Sequence, residues 1–227
     1  MKTKLLLLVI VSILLTSSTC MQKKKIVFFG DSITQGGVEP KGYITILSQL
    51  LAGKNNKNDY ELIGAGISGN KVYDLYMRYE EDVLAKKPDA VVIWIGVNDV
   101  WHKQILHTGT DADKFEDFYL KLISKFKEKN IDVYVATPAV VGEKWDGTNI
   151  LDADLDKYSE IIRKVAKQSG STLVDLRKEF LDHLKSNNQQ NKEKGILTYD
   201  GVHLNDAGNS FVAEKMYEVL SSHFIKQ

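Results

Sequence analysis

Cysteine is almost absent from this chain: Cys20 is the single one in 227 residues, so no internal disulfide can form and stability must come from the core. An excess of either charge is lacking too. There are 30 Lys and Arg against 30 Asp and Glu, and without Lys2 and Lys4 the balance is 28 to 30, a net of −2. Such a surface offers no electrostatic case for nucleic acid. No apolar run is long enough to span a bilayer, because residues 5–15 supply about 11 of the roughly 20 that a spanning helix needs. The Gly-Lys-Ser/Thr of a phosphate-binding P-loop is missing, and no repeat or internal linker is evident.

What is present begins with a leader. Met1-Lys2-Thr3-Lys4 is basic, residues 5–15 are apolar and Thr16-Ser17-Ser18-Thr19 is small and polar, the layout of a secretory signal over residues 1–20. Cys20 ends that stretch and resembles the lipobox cysteine of bacterial lipoproteins, although Thr19 stands where Gly, Ala or Ser is usual. The resemblance implies a lipid on Cys20 and membrane attachment through it; the alternative is a signal cut nearby, leaving an incidental thiol. Both imply export, to the periplasm or cell envelope or beyond. Residues 21–25, with Lys23-Lys24-Lys25, are expected to form a solvated basic tether. Residues 26–227 are expected to form one domain, since roughly 200 residues suffice for one sizeable core and not for two.

Within that domain the short apolar runs 26–29, 60–63, 90–95, 133–136 and 172–176 read as strands. Helical spacing marks 43–51, the stretch from Asn70 to about Lys86, 113–129, 155–165, a segment from about Lys178, and 206–223. Alternating strands and helices imply a parallel sheet covered on both faces. The right-handed crossover rule then favours a flavodoxin-like three-layer α/β/α sandwich with five strands. The polar patch 186–194 is expected as a surface loop, and 140–150, with Trp145, as another.

In a parallel sheet the loops after the strands emerge at one edge. Asp31 and Ser32 follow the first strand, Gly66 to Asn70 the second and Asn98 the third, and the loop Asp200-Gly201-Val202-His203 is expected to reach the same edge. Gly-Asp-Ser after a strand is by itself a common turn with a helix cap. The other loops change its meaning, because a serine hydroxyl becomes a nucleophile when an imidazole takes its proton and a carboxylate holds that imidazole. Ser32, His203 and Asp200 supply one of each. Backbone N–H groups of Ser32 and Gly69 and the side-chain amide of Asn98 are candidates for an oxyanion hole.

Gly30-Asp31-Ser32-Ile33, Gly69 within Ser68-Gly69-Asn70, Gly96-Val97-Asn98-Asp99 and Asp200-Gly201-Val202-His203 resemble, in order, the four signature blocks of the SGNH (GDSL-type) hydrolases. Ile33 stands where the family's short name has leucine. The resemblance implies cofactor-free and metal-free hydrolysis of esters or thioesters through an acyl-enzyme. It implies Ser32 as nucleophile, Asp200 and His203 as acid and base, and Ser32, Gly69 and Asn98 as the oxyanion hole.

Other residues carry weaker signals. Ser68 is a rival serine better read as a turn residue; Asp31 is expected to cap the following turn, and Asp99 either braces the Asn98 loop or sits in a plain turn. His102, His107, His183 and His223 have no metal-ligand spacing. Trp101 and Trp145 come after the third and fourth strands, where they either line a substrate pocket or sit in the core or at its rim. The absence of an evident lid points to short acyl groups such as acetyl esters on carbohydrates. Lysophospholipase or thioesterase activity is the alternative within the family, and a flavodoxin-like binding module without catalysis is the alternative from another class.

Overall fold

All five apolar runs form strands in the computed structural model, which describes residues 23–52 and 59–224. The expected leader, with Cys20, lies outside the described residues. The strands are β1 (Lys24–Gly30), β2 (Tyr60–Gly66), β3 (Ala90–Trp94), β4 (Asp132–Ala136) and β5 (Thr172–Val174). They pair in parallel in the order β2-β1-β3-β4-β5, which is the flavodoxin-like order. Lys24 and Lys25, expected in the tether, instead open β1, opposite Tyr60 and Glu61.

Eight α-helices surround the sheet among the described residues: α1 (Ser32–Gly36), α2 (Tyr43–Leu51), α3 (Val72–Asp82), α4 (Val97–Ile105), α5 (Ala112–Lys127), α6 (Asp152–Ser169), α7 (Leu176–Asn187) and α8 (Asp206–His223). The period of two along each strand divides the core between the faces. Ile26, Phe28, Val92, Trp94 and Ala136 pack with α2, α7 and α8. Val27, Phe29, Val91, Ile93 and Val135 pack with α3, α5 and α6. Both residue sets are buried, which is why the central strands read as unbroken apolar runs. Each fully buried Leu, Ile or Phe contributes about 1.5–3 kcal/mol.

Two local expectations differ from the structure. Residues 97–105 form α4, so Asn98 lies in the first turn of a helix and not in a loop. The fifth strand stops at Val174 because Asp175 caps α7, its carboxylate accepting the Lys178 N–H at 3.4 Å. The polar patch at 186–194 lies at the surface as expected, pinned by the buried Asn188, whose amide donates to the carbonyls of Glu143 (2.9 Å) and Lys192 (2.8 Å).

The strand order also locates the site. The chain passes from β1 to β2 on one side and returns to β3 on the other, so the helices after β1 and β3 leave in opposite directions and open a crevice at the carboxyl ends of those two strands. Ser32 follows β1 and Asn98 follows β3.

Candidate active site

Ser32 begins α1, and Asp31 caps it by accepting the Ile33 N–H at 3.0 Å. The Ser32 hydroxyl lies 2.9 Å from His203 Nε2, and His203 Nδ1 lies 2.7 Å from Asp200 Oδ2. An imidazole that donates from Nδ1 to the carboxylate leaves Nε2 free to accept from the serine. The other Asp200 oxygen accepts the N–H groups of Val202 (2.9 Å) and His203 (2.7 Å). Partial burial raises the Asp200 pKa, but hydrogen bonds from the His203 ring and from these N–H groups hold it below its ordinary value. The tight turn depends on Gly201, whose φ of +101° disfavours any side chain. The Asp-x-x-His spacing therefore closes as its residue types suggest.

The opposite wall is a network of amides. Asn98 is buried, and its side-chain nitrogen donates to the Asn70 carbonyl at 3.1 Å. It also lies 3.5 Å from Asp31 Oδ2, the outer limit of a hydrogen bond, so its second hydrogen is weakly held. Gly69 turns the chain with φ +78°, and its carbonyl accepts from the Lys71 ammonium at 3.1 Å. Ser68 has no imidazole partner; its N–H donates to Gln35 of α1 at 2.8 Å, as a turn residue would. Burial pushes the carboxyls of Asp31 and Asp99 up to about 7. Asp99 accepts the Val72 N–H at 3.2 Å and so braces α4 against the start of α3.

Several residues that hold this arrangement gave no local signal. Arg78 of α3 donates to the Gly30 carbonyl (2.8 Å), the Ala65 carbonyl (3.1 Å) and the Asn70 side chain (2.7 Å), tying the ends of β1 and β2 together. Glu143, 0% exposed, accepts the N–H groups of Ile196 (2.7 Å), Leu197 (2.6 Å) and Thr198 (2.6 Å). Beside it, the Gly142 N–H donates to the Gly201 carbonyl at 2.8 Å. The segment after β4 thus carries the Asp200–His203 loop.

Glu143→Ala leaves three N–H groups without their acceptor and is expected to cost at least about 3 kcal/mol. In a domain of this size that is a fall of about 6–12 °C in Tm. Glu143→Gln keeps one acceptor and should lose less. Unchanged melting of the alanine variant would refute this role.

The cavity beside Ser32 has a volume of about 270 Å³, with Ile33, Glu39, Lys41, Tyr199 and His203 in its wall. Neither tryptophan lines it. Trp101 lines a second cavity of about 310 Å³ with Val141, Lys144 and Ile150. Trp145 is pinned to the end of α7 and the segment after it, its ring N–H donating to the Asn188 carbonyl at 2.9 Å. A larger cavity of about 440 Å³ opens where Asp132 and Thr172 begin β4 and β5, at the far edge from Ser32. Among the described residues no three His, Cys, Asp or Glu side chains group as a metal site.

The model of the GDSL-like lipase/acylhydrolase family matches residues 28–211, which include every residue of the Ser32 cluster. The chain belongs to that family. This GDSL-like protein is accordingly a carboxylic ester hydrolase. It is 29% identical over 217 residues to an acetylxylan esterase of Geobacillus stearothermophilus, covering 88% of this chain and 95% of that one. It is 24% identical to the uncharacterized lipoprotein YqeF of Bacillus subtilis (strain 168), over 83% of this chain and 86% of the relative. The crystal structure of an acetyl xylan esterase, AlAXEase, superposes with a TM-score of 0.84 at 57% identity, covering 86% of this chain and 98% of that chain.

Proposed function

We propose that this protein is a serine esterase that removes short acyl groups, acetyl above all, from carbohydrates. The observation that carries the reading is the unbroken chain from Ser32 through His203 to Asp200, at 2.9 and 2.7 Å. A binding module has no use for such a relay. Ser32 Oγ attacks the ester carbonyl carbon while His203 Nε2 takes its proton, and Asp200 stabilises the imidazolium. The oxyanion is held by the N–H groups of Ser32 and Gly69 and the amide of Asn98. On collapse, His203 returns the proton to the departing alcohol and leaves an acyl-Ser32. Water then attacks that ester, His203 takes its proton, and Ser32 leaves as the hydroxyl with release of the acid.

The short-acyl reading is supported by the modest cavity beside Ser32 and by two acetylxylan esterases among the relatives. Rates across 4-nitrophenyl acetate, butyrate, octanoate and decanoate test it, together with acetate release from acetylated xylan. The expected result is a fall of at least about tenfold beyond butyrate, since each methylene without a pocket forfeits its share of binding. A rise toward decanoate would instead favour the lysophospholipase reading.

Export with a lipid on Cys20 belongs to the same proposal. It is supported by the leader-like layout of residues 1–20 and by the lipoprotein among the relatives. Intact mass of the mature protein tests it: a diacylglyceryl increment on a chain beginning at Cys20 is expected, and an unmodified N-terminus contradicts it.

A further inference from the structure

The cavity beside Ser32 carries an aromatic ring that ester hydrolysis does not require. Tyr199 is 62% exposed and lies in the wall of the cavity that holds Ser32 and His203. A single exposed aromatic is ordinary, but the backbone of this one is held and its ring lies against the base of the site. Its backbone N–H donates to the His203 carbonyl at 3.0 Å, and the flanking residues Thr198 and Leu204 form an antiparallel bridge. Its ring lies parallel to the His203 imidazole, with 17° between planes and 5.8 Å between centroids. A flat aromatic face therefore stands beside the His203 imidazole, on a backbone already held in place.

The surroundings are polar. Lys41 and Asp206 form an ion pair at 2.5 Å, exposed at the cavity mouth with Glu39 nearby. No continuous apolar channel leads on from Tyr199, since Ile33 and Leu204 are the aliphatic side chains of the wall. One flat ring with charged groups around it suits a ligand with a C–H face and a rim of hydroxyls. The cavity volume of about 270 Å³ falls just below the roughly 300–1,000 Å³ of drug-sized sites, which is room for one sugar ring.

We infer that Tyr199 is the platform of a pyranoside subsite on the leaving-group side. The C–H face of the sugar stacks on the ring, drawn by its negative π-face, while Glu39, Lys41 and Asp206 meet the hydroxyls and the acetylated oxygen points to Ser32. This rests on the carbohydrate-esterase reading above and adds to it a residue that selects the alcohol.

The test compares kcat/KM of the full-length protein on the triacetate of methyl β-D-xylopyranoside and on vinyl acetate, whose leaving group is too small to reach the platform. In Tyr199→Ala the ratio of the two is expected to fall about tenfold, chiefly through KM on the xyloside, and Tyr199→Trp is expected to restore it. An unchanged ratio overturns the subsite: if both rates fall together, Tyr199 acts by positioning His203, and if neither falls it has no part. In both of those cases deacetylation of the xyloside by the wild type leaves the carbohydrate reading standing. A wild type that hydrolyses vinyl acetate and not the xyloside overturns both.

Discussion

Ser32→Ala is expected to lower kcat for ester hydrolysis by at least about 10⁴-fold, because the variant lacks the atom proposed to carry the acyl group. The residue is partly exposed and its hydroxyl pairs with the His203 ring, so the fold should be retained and Tm should move little. Residues that act as one unit do not add: Ser32→Ala combined with His203→Ala should be no slower than Ser32→Ala alone. A fluorophosphonate should label the wild type and fail on Ser32→Ala. Labelling that persists in that variant would move the nucleophile to another residue, with Ser68 the first to examine.

Asn98→Ala carries the second large effect, a loss of about 10²–10³ in kcat with KM little changed, the signature of a donor that matters most once the oxyanion has formed. The same amide donates to the Asn70 carbonyl in a buried setting, so the variant should also lose about 1–3 kcal/mol of stability. Assays are therefore run well below its Tm. Full activity in a folded Asn98→Ala would remove this residue from the oxyanion hole.

The parts of the fold legible in the sequence are those governed by local pattern. The runs at 26–29 and 90–95 became the central strands β1 and β3 because their residues alternate between two buried faces, and burial on both sides leaves a continuous apolar stretch. The relay was legible for a similar reason: Asp200 and His203 are three residues apart, and one turn through Gly201 suffices to join them.

What was not legible depends on distant partners or on competing local chemistry. Glu143 meets N–H groups 53 to 55 positions away, and the Trp145 ring meets a carbonyl 43 positions away, so no spacing rule could pair them. Arg78 reads as one more charge on a helix until the ends of β1 and β2 come within its reach. The start of α4 was hidden because Gly96, Asn98 and Asp99 are also turn formers. Only burial of Asn98, Asp99 and Val100 in one helical turn decides between the two.

The position of Lys24 has a consequence for orientation. It begins β1, and the seven residues of that strand cross the sheet over about 20 Å at roughly 3.3 Å per residue before the chain reaches Ser32. The chain therefore enters the sheet at the edge opposite Ser32, and a graft joined directly to Lys24 starts at the edge far from the cavity.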